Sequence, residues 1–376
     1  MESNQSNVTT LPSFSDDEIL TGLITRETRM IFNDVMSCGI QPIVTLIGLA
    51  GNILSITVLG YQGAKEVTNI ILIGLAMADL LYLMMWYGPI AECTVRRFDV
   101  VAAINVEVEY KAMPIMIASI LGTVSRLYTC LIAVERYIAV LYPLKAPALL
   151  TRKRIFTACA VLFVLPFALS FHMYLLFDVA ERFSPEYNAT VKFIKFGRFT
   201  VENLDFMVLY NDLILAVPFS YIPVALVLYC TCSILLTLRR SQQSRLQMTA
   251  GREDSKTSAE QRQVTKTLIG ICIVFVVCSL PAIVLKVARL LFTDDGFSDV
   301  GRYRNMSYVA VTVSLLFSLI NSSVNFIFYV AYSKKFNATA RKIFFFWRKE
   351  DSRRKPVSSE TPVTMSSRVQ ETTLNG

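Results

Sequence analysis

The feature that most constrains this chain is a series of seven long apolar runs, at about 39–62, 69–90, 112–140, 154–178, 207–238, 264–292 and 306–332. A hydrocarbon core about 30 Å thick asks for roughly 20 apolar residues per helix, and each run meets that length. In lipid every backbone N–H and C=O must find its partner inside the segment, so the runs are expected to be helical; a β-barrel would show short alternating segments instead. Composition agrees, with 53% of the 376 residues hydrophobic and 18% charged, too apolar for an ordinary soluble domain. The expected fold class is an all-α membrane protein, a bundle of seven transmembrane helices occupying residues 39–332.

The formal net charge of +8 does not point to nucleic acid, because the basic residues sit in short loops beside the apolar runs. Lys145, Arg152, Lys153 and Arg154 follow the third run, and Arg239, Arg240, Arg245, Arg252, Lys256 and Arg262 follow the fifth. Those faces are expected to be cytoplasmic. The segment 1–38 carries Asp16, Asp17 and Glu18 and is expected outside, and an odd number of spans then leaves the Lys/Arg-rich carboxyl tail inside. The location implied is the plasma membrane. Asn4, Asn7 and Asn188 open N-x-S/T motifs in segments assigned to the exterior, so they are the expected glycosylation sites. Asn305 opens another at the mouth of span seven, close to the membrane, while Asn321 and Asn337 match the pattern where no glycan can be added. The first residues lack a basic segment followed by an apolar one, so no cleaved signal peptide is expected and the first span directs insertion.

Of eight cysteines, Cys130, Cys159, Cys230, Cys232, Cys272 and Cys278 fall inside apolar runs, where buried thiols usually pack. Only Cys38 and Cys93 are placed to meet an oxidising exterior. His172 is the single histidine, no metal-binding cluster is visible, and no G-x-S-x-G or phosphate-cradling loop occurs, so an enzyme is not expected.

Polar residues inside lipid spans are expensive and each needs a reason. Span one carries Gly51-Asn52, span two Leu75-Ala76-Met77-Ala78-Asp79, and span three ends Glu135-Arg136-Tyr137. Span seven reads Asn321-Ser322-Ser323-Val324-Asn325-Phe326-Ile327-Phe328-Tyr329. Together these resemble the rhodopsin-like G protein-coupled receptors, with GN in helix one, LAxAD in helix two, E/DRY in helix three and the NPxxY element in helix seven, here NFIFY. The resemblance covers about residues 39–347. It implies a receptor that converts binding of an extracellular ligand into activation of a heterotrimeric G protein.

On this resemblance Glu135, Arg136, Tyr137, Pro143, Leu144, Pro281, Asn325 and Tyr329 carry coupling and activation, with Pro143-Leu144 presenting a hydrophobic knob to the G protein. A lone carboxylate such as Asp79 is costly in mid-membrane unless it meets a cation or hydrogen-bond donors. The resemblance implies a sodium pocket at Asp79, Ser125, Asn321 and Asn325, with Ser322 beside it; a water-filled network without sodium is the alternative. After span seven, Ser333–Phe336 and Ile343–Trp347 mix basic and apolar residues as an interfacial helix would, resembling a short amphipathic helix eight over 333–349. No cysteine follows it, so palmitoylation of the tail is not expected. The polar segment 350–376, with Ser358, Ser359, Ser366 and Ser367, reads as a disordered, phosphorylatable tail. By family analogy, a receptor kinase and arrestin are its partners.

Several positions depart from the family pattern. Lys111 stands where the helix-three disulfide cysteine is usual, and the loop at about 179–206 has no cysteine. Cys38 and Cys93 could form a substitute bridge or remain free thiols. Ser279 replaces the usual helix-six tryptophan beside Pro281, span four lacks tryptophan because the only two are Trp86 and Trp347, and Phe326 replaces the helix-seven proline. Arg126, in mid-span, needs a partner: backbone carbonyls, water, or an acidic ligand group, with Asp212 an internal alternative. The ligand pocket is expected among Tyr87, Ala118, Arg126, Asp212, Ser279, Lys286 and Arg289.

Ala118 stands where amine receptors carry aspartate and Leu319 where opsins carry the retinal lysine, which disfavours both ligand classes. The segments GLAMADLL, EVEYKAMP, GRYRN and INSSVNFIFY are similar to molluscan and related lophotrochozoan receptors described as chemosensory receptor-like or peptide receptor-like. A neuropeptide and a small environmental chemical both remain open. A transporter or channel using Asp79 and Arg126 is the competing class, but no internal repeat or pair of broken helices supports it.

Overall fold

The computed structural model describes residues 24–63, 66–247, 256–291 and 303–353. Among them seven helices are long and apolar enough to cross a membrane: Arg26–Gln62, Val67–Val95, Pro114–Leu141, Arg152–Leu175, Leu213–Arg240, Gln263–Arg289 and Arg304–Tyr332. These are spans one to seven. Span three is the axle of the bundle, since 61% of its apolar window is buried against 22% for span four at the rim. Its inner face packs Val124, Tyr128 and Ile132 against Ile71 and Leu75 of span two, Leu268 and Ile271 of span six and Tyr329 of span seven. Ala133 packs with Val227 of span five and Phe275 of span six.

Prolines shape several spans. Pro42 has no N–H to give the Cys38 carbonyl, and the chain answers with a wider turn at Met36–Ile40, closed by a bond from Gln41 N to the Met36 carbonyl. Span five carries Pro218 and Pro223 and has wide turns at Tyr210–Leu215 and Val217–Tyr221. Span seven breaks at Val324, between Arg304–Ser323 and Asn325–Tyr332, although no proline is there. The substituted ring of Phe326 instead lies against Gly51, where a Cβ would come within 2.0 Å of it. Asn52 ties the two helices beside this contact, donating to the carbonyls of Gly48 at 3.0 Å and Ser322 at 2.9 Å.

Two connecting segments are more ordered than their loop-like composition predicts. Residues Val100–Ala112 form a helix, capped by Asp99 accepting from Ala102 N at 2.9 Å and stopped before Pro114. The connection after span four holds an antiparallel hairpin, β1 (Phe177–Ser184) and β2 (Ala189–Phe196), in register from Phe177 opposite Phe196 to Ser184 opposite Ala189. A further helix, Lys334–Arg353, follows span seven; Lys335 pairs with Glu66 at 2.5 Å, and Phe336 is buried 5.6 Å from the Tyr329 ring.

Candidate functional site

At one end of the bundle span three delivers Glu135 and Arg136. Adjacent residues on a helix are about 100° apart, so the two side chains can meet only by reaching along the surface toward a common neighbour. That neighbour is Thr68 of span two: its hydroxyl accepts from Arg136 Nη2 at 2.5 Å and donates to Glu135 Oε1 at 3.0 Å. The Arg136 guanidinium also contacts both oxygens of the Glu135 carboxylate. A charge-assisted pair closed by a hydroxyl polarises each bond in the ring and leaves the arginine held but not enclosed. Thr68 was absent from the sequence reading, because a threonine near the start of a span usually spends its hydroxyl on its own helix.

Around this pair, Tyr137 stacks between Tyr142 and Tyr229 at 6.0 and 5.9 Å. Pro143 is exposed and Leu144 is 96% exposed, an apolar side chain projecting from the loop that follows span three. Pro281 lies inside span six and Gln263 at its start donates to the Tyr332 carbonyl of span seven.

Deeper in the bundle Asp79 is fully buried. Its Oδ1 accepts from Ser125 Oγ at 2.5 Å and its Oδ2 from Asn325 Nδ2 at 2.7 Å. Asp79, Ser125 and Asn325 thus converge from three helices, and the break at Val324 is what turns Asn325 inward. Asn321 is not part of this cluster. It lines, together with Ser322, a cavity that borders the cluster. The Tyr329 hydroxyl is buried with no hydrogen-bond partner among the described residues.

That cavity has a volume of about 230 Å³ and lies among spans three, five, six and seven. Arg126, Ser279 and Lys286 line it. Arg126 donates from Nη2 to Thr123 Oγ1 at 2.6 Å and from Nε to the Phe219 carbonyl at 3.4 Å. An α-helix would have satisfied that carbonyl with the N–H of residue 223, which is Pro223 and has none. Ser279 spends its hydroxyl on the Phe275 carbonyl one turn back, at 2.7 Å, and its small side chain leaves open the volume that a bulky side chain would fill.

Three other residues expected in the pocket do not line this cavity. Tyr87 is half exposed and stacks edge-on against Tyr110 at 5.6 Å, because the turn at Trp86 rotates it out of the bundle. Ala118 is buried in packing with Tyr82, Trp86 and Leu319. Arg289, a turn beyond Lys286, donates to Ser307 of span seven at 3.1 Å. The side chain of Asp212 lies outside the described residues, as do Asn4, Asn7 and the tail serines.

At the end opposite Arg136, Cys38 and Cys93 are joined as a disulfide with Cα atoms 5.6 Å apart, tying span one to span two. Arg96 reinforces the tie, contacting Glu92 and pairing with Asp34 at 3.1 Å. Lys111, in place of the family cysteine, pairs with Glu107 at 2.5 Å on its own helix. The hairpin is pinned without sulfur: Lys192 N donates to Asn105 Oδ1 at 2.8 Å and its ammonium pairs with Glu109. The hydrogen bond to Glu109 raises the Lys192 pKa above the ordinary lysine value, so its ammonium stays charged at neutral pH. Burial likewise raises the Tyr110 phenol and keeps it neutral. Asn188 is exposed at the hairpin turn with φ 46°, a left-handed conformation that asparagine tolerates. Asn305 is buried and donates to the Ile24 carbonyl at 3.0 Å, which removes it as a glycan site.

The family profile described as 7 transmembrane receptor (rhodopsin family) matches residues 51–329. Among similar proteins, the FMRFamide receptor of Drosophila melanogaster is 26% identical over 319 residues, covering 82% of this chain and 54% of that protein. The neuromedin-U receptor 2 of Homo sapiens is 25% identical over 341 residues, 81% and 70% of the two chains, and the histamine H2 receptor of Canis lupus familiaris 25% over 309 residues, 81% and 78%. The chain thus spans about half the length of the Drosophila relative. With seven spans, the Glu135–Arg136–Thr68 pair and the Asp79 cluster in one bundle, this protein belongs to the rhodopsin family of seven-transmembrane G protein-coupled receptors and is a receptor, not an enzyme.

Proposed function

We propose that the protein carries an extracellular signal, a neuropeptide or a small chemosensory ligand, to a heterotrimeric G protein at the cytoplasmic face of the plasma membrane. The observation that carries this reading is the pairing of a held but accessible Arg136 with the projecting Leu144 at one end of a bundle whose other half contains a cavity. Several relatives are named for peptides, among them the FMRFamide, neuromedin-U and allatostatin-A receptors, which favours a peptide. Ala118 offers no carboxylate to an amine.

In this proposal the end bearing Cys38 faces outward, where a disulfide survives and Asn188 meets the glycosylation machinery, and the Arg136 end faces the cytoplasm. Ligand binding in the cavity shifts the population toward a state in which span six swings outward about Pro281 and the Arg136 pair opens. Helix Lys334–Arg353 lies along the cytoplasmic membrane surface, and the tail recruits receptor kinase and arrestin. A sodium ion at Asp79, Ser125, Asn321 and Asn325 would be the allosteric cofactor; the Asp79 carboxylate already meets hydrogen bonds from Ser125, Asn325 and Ser322, so sodium would displace at least one of them.

The test is a ligand screen on cells expressing the full chain with a panel of G-protein reporters. A ligand that activates one reporter through the intact chain and not through Arg136→Ala is the expected result. Ligand-driven current with no G-protein response would sink the proposal in favour of transport.

A further inference from the structure

Arg126 brings a permanent positive charge into the middle of the bundle, and no carboxylate among the described side chains pairs with it. A guanidinium carries five N–H donors, all charged, and a full set of neutral acceptors still leaves its charge uncompensated. Two of its nitrogens reach neutral oxygens, Thr123 Oγ1 and the Phe219 carbonyl. No acidic side chain among the described residues makes an ion pair with it. Asp79 is attached to the neighbouring residue Ser125, on a different face of span three, and its oxygens are engaged by Ser125 and Asn325.

The space in front of the guanidinium has a definite chemistry. It is a cavity of about 230 Å³ with hydroxyls from Ser119, Ser279 and Ser318 and an apolar wall from Phe275 and Ile283. Lys286 lines the same cavity, its Nζ 3.4 Å from Ser220 Oγ and 5.8 Å from the Tyr221 ring centroid. Sites that enclose a whole drug-sized ligand run to about 300–1,000 Å³, so this one admits a small acid or the end of a longer molecule. The planar guanidinium of Arg126 matches the two coplanar oxygens of a carboxylate through a two-pronged contact, and the Phe275–Ile283 wall suits an apolar group joined to it, which a bare inorganic anion lacks.

We infer that this cavity binds a carboxylate joined to an apolar group, with Arg126 forking the two oxygens and the Phe275–Ile283 wall holding the carbon skeleton. The source is either a free short-chain acid or the unamidated carboxyl terminus of a peptide. Because the same guanidinium holds the Phe219 carbonyl at the proline-widened turn of span five, filling the site alters the tie between spans three and five. The inference deepens the ligand half of the receptor reading and rests on it.

The experiment uses the full chain in lipid nanodiscs and reads melting temperature at constant ionic strength, with sodium chloride as the reference. Hexanoate is compared with hexanamide, and N-acetylphenylalanine with N-acetylphenylalaninamide. At saturation at least one acid is expected to raise the melting temperature by about 2–4 °C, with its amide inactive. Hexanoate alone identifies a small acid; N-acetylphenylalanine alone identifies a peptide terminus. Arg126→Gln is expected to abolish the shift, and Ser279→Trp, which fills the cavity without touching the charge, to do the same should Arg126→Gln fail to fold. No shift from either acid, equal shifts from acid and amide, or a shift that survives both substitutions would overturn the inference. Arg136→Ala should keep the shift and lose G-protein nucleotide exchange, so failure of the carboxylate site and failure of the receptor reading give different patterns.

Discussion

The two ends of the bundle are built on different plans. At the Arg136 end the polar ties are few and compact: one arginine, one glutamate and one threonine share a ring of hydrogen bonds, and Leu144 projects from the loop that follows span three. At the Cys38 end there is no such centre. A disulfide, the Arg96 ion pairs, the Val100–Ala112 helix and the Lys192 contacts each secure one connection. On the proposed function the difference teaches that the end meeting the G protein must be able to open, so its ties are polar and local, while the other end holds its connections in place with a covalent bond and secondary structure.

This contrast yields predictions of decreasing size. Arg136→Ala should reduce agonist-driven G-protein signal to reporter background while leaving surface expression near that of the parent; a retained signal would mean that the arginine is only an anchor. Cys93→Ser should cost about 2–4 kcal/mol of stability, read as a lower melting temperature in nanodiscs, with coupling intact once the protein is folded. If coupling fell and stability did not, the division of labour between the ends would be wrong. Gly51→Ala, at the junction of the two halves, drives a Cβ into the Phe326 ring and should cost about 1–3 kcal/mol. Phe326→Pro in the same background should relieve much of that cost, because the ring is the obstacle. Asn188→Gln should remove one glycan, seen as a mass shift after glycosidase treatment, with a stability change within about 0.5 kcal/mol. An unchanged mass would place the hairpin turn on the wrong side of the membrane.

Much of the candidate site was legible in the sequence for a simple reason. A polar group in lipid must have a partner, so Asp79, Ser125, Asn325 and Arg126 stand out from their apolar surroundings without knowledge of the fold. Thr68 did not stand out, since its role depends on which helix lies opposite. Nor did the Val100–Ala112 helix, although Asp99 before it, Glu107 and Lys111 one turn apart within it and Pro114 after it are local signals that a closer reading could have used. The hairpin was missed because strands β1 and β2 mix charged and apolar residues without clean alternation, being stabilised by their pairing and by Lys192. Tyr87, Ala118 and Arg289 are expected in the pocket from their places along the helices, and the structure gives them other contacts, with Tyr110, with Tyr82 and Leu319, and with Ser307.

By itself the sequence determined that seven helices cross a bilayer, because the thickness of hydrocarbon and the cost of unpaired backbone leave no other use for these apolar runs. It also marked the residues of the Arg136 and Asp79 clusters, whose chemistry is local. What only the tertiary structure decided was partnership: that Cys38 meets Cys93, that Thr68 closes the Glu135–Arg136 ring, that Asn321 faces the cavity and not Asp79, and that Arg126 borrows the carbonyl that Pro223 leaves free. Those contacts join residues from about 55 to more than 90 positions apart, brought together by helix packing, and spacing along one chain carries no measure of which faces will touch.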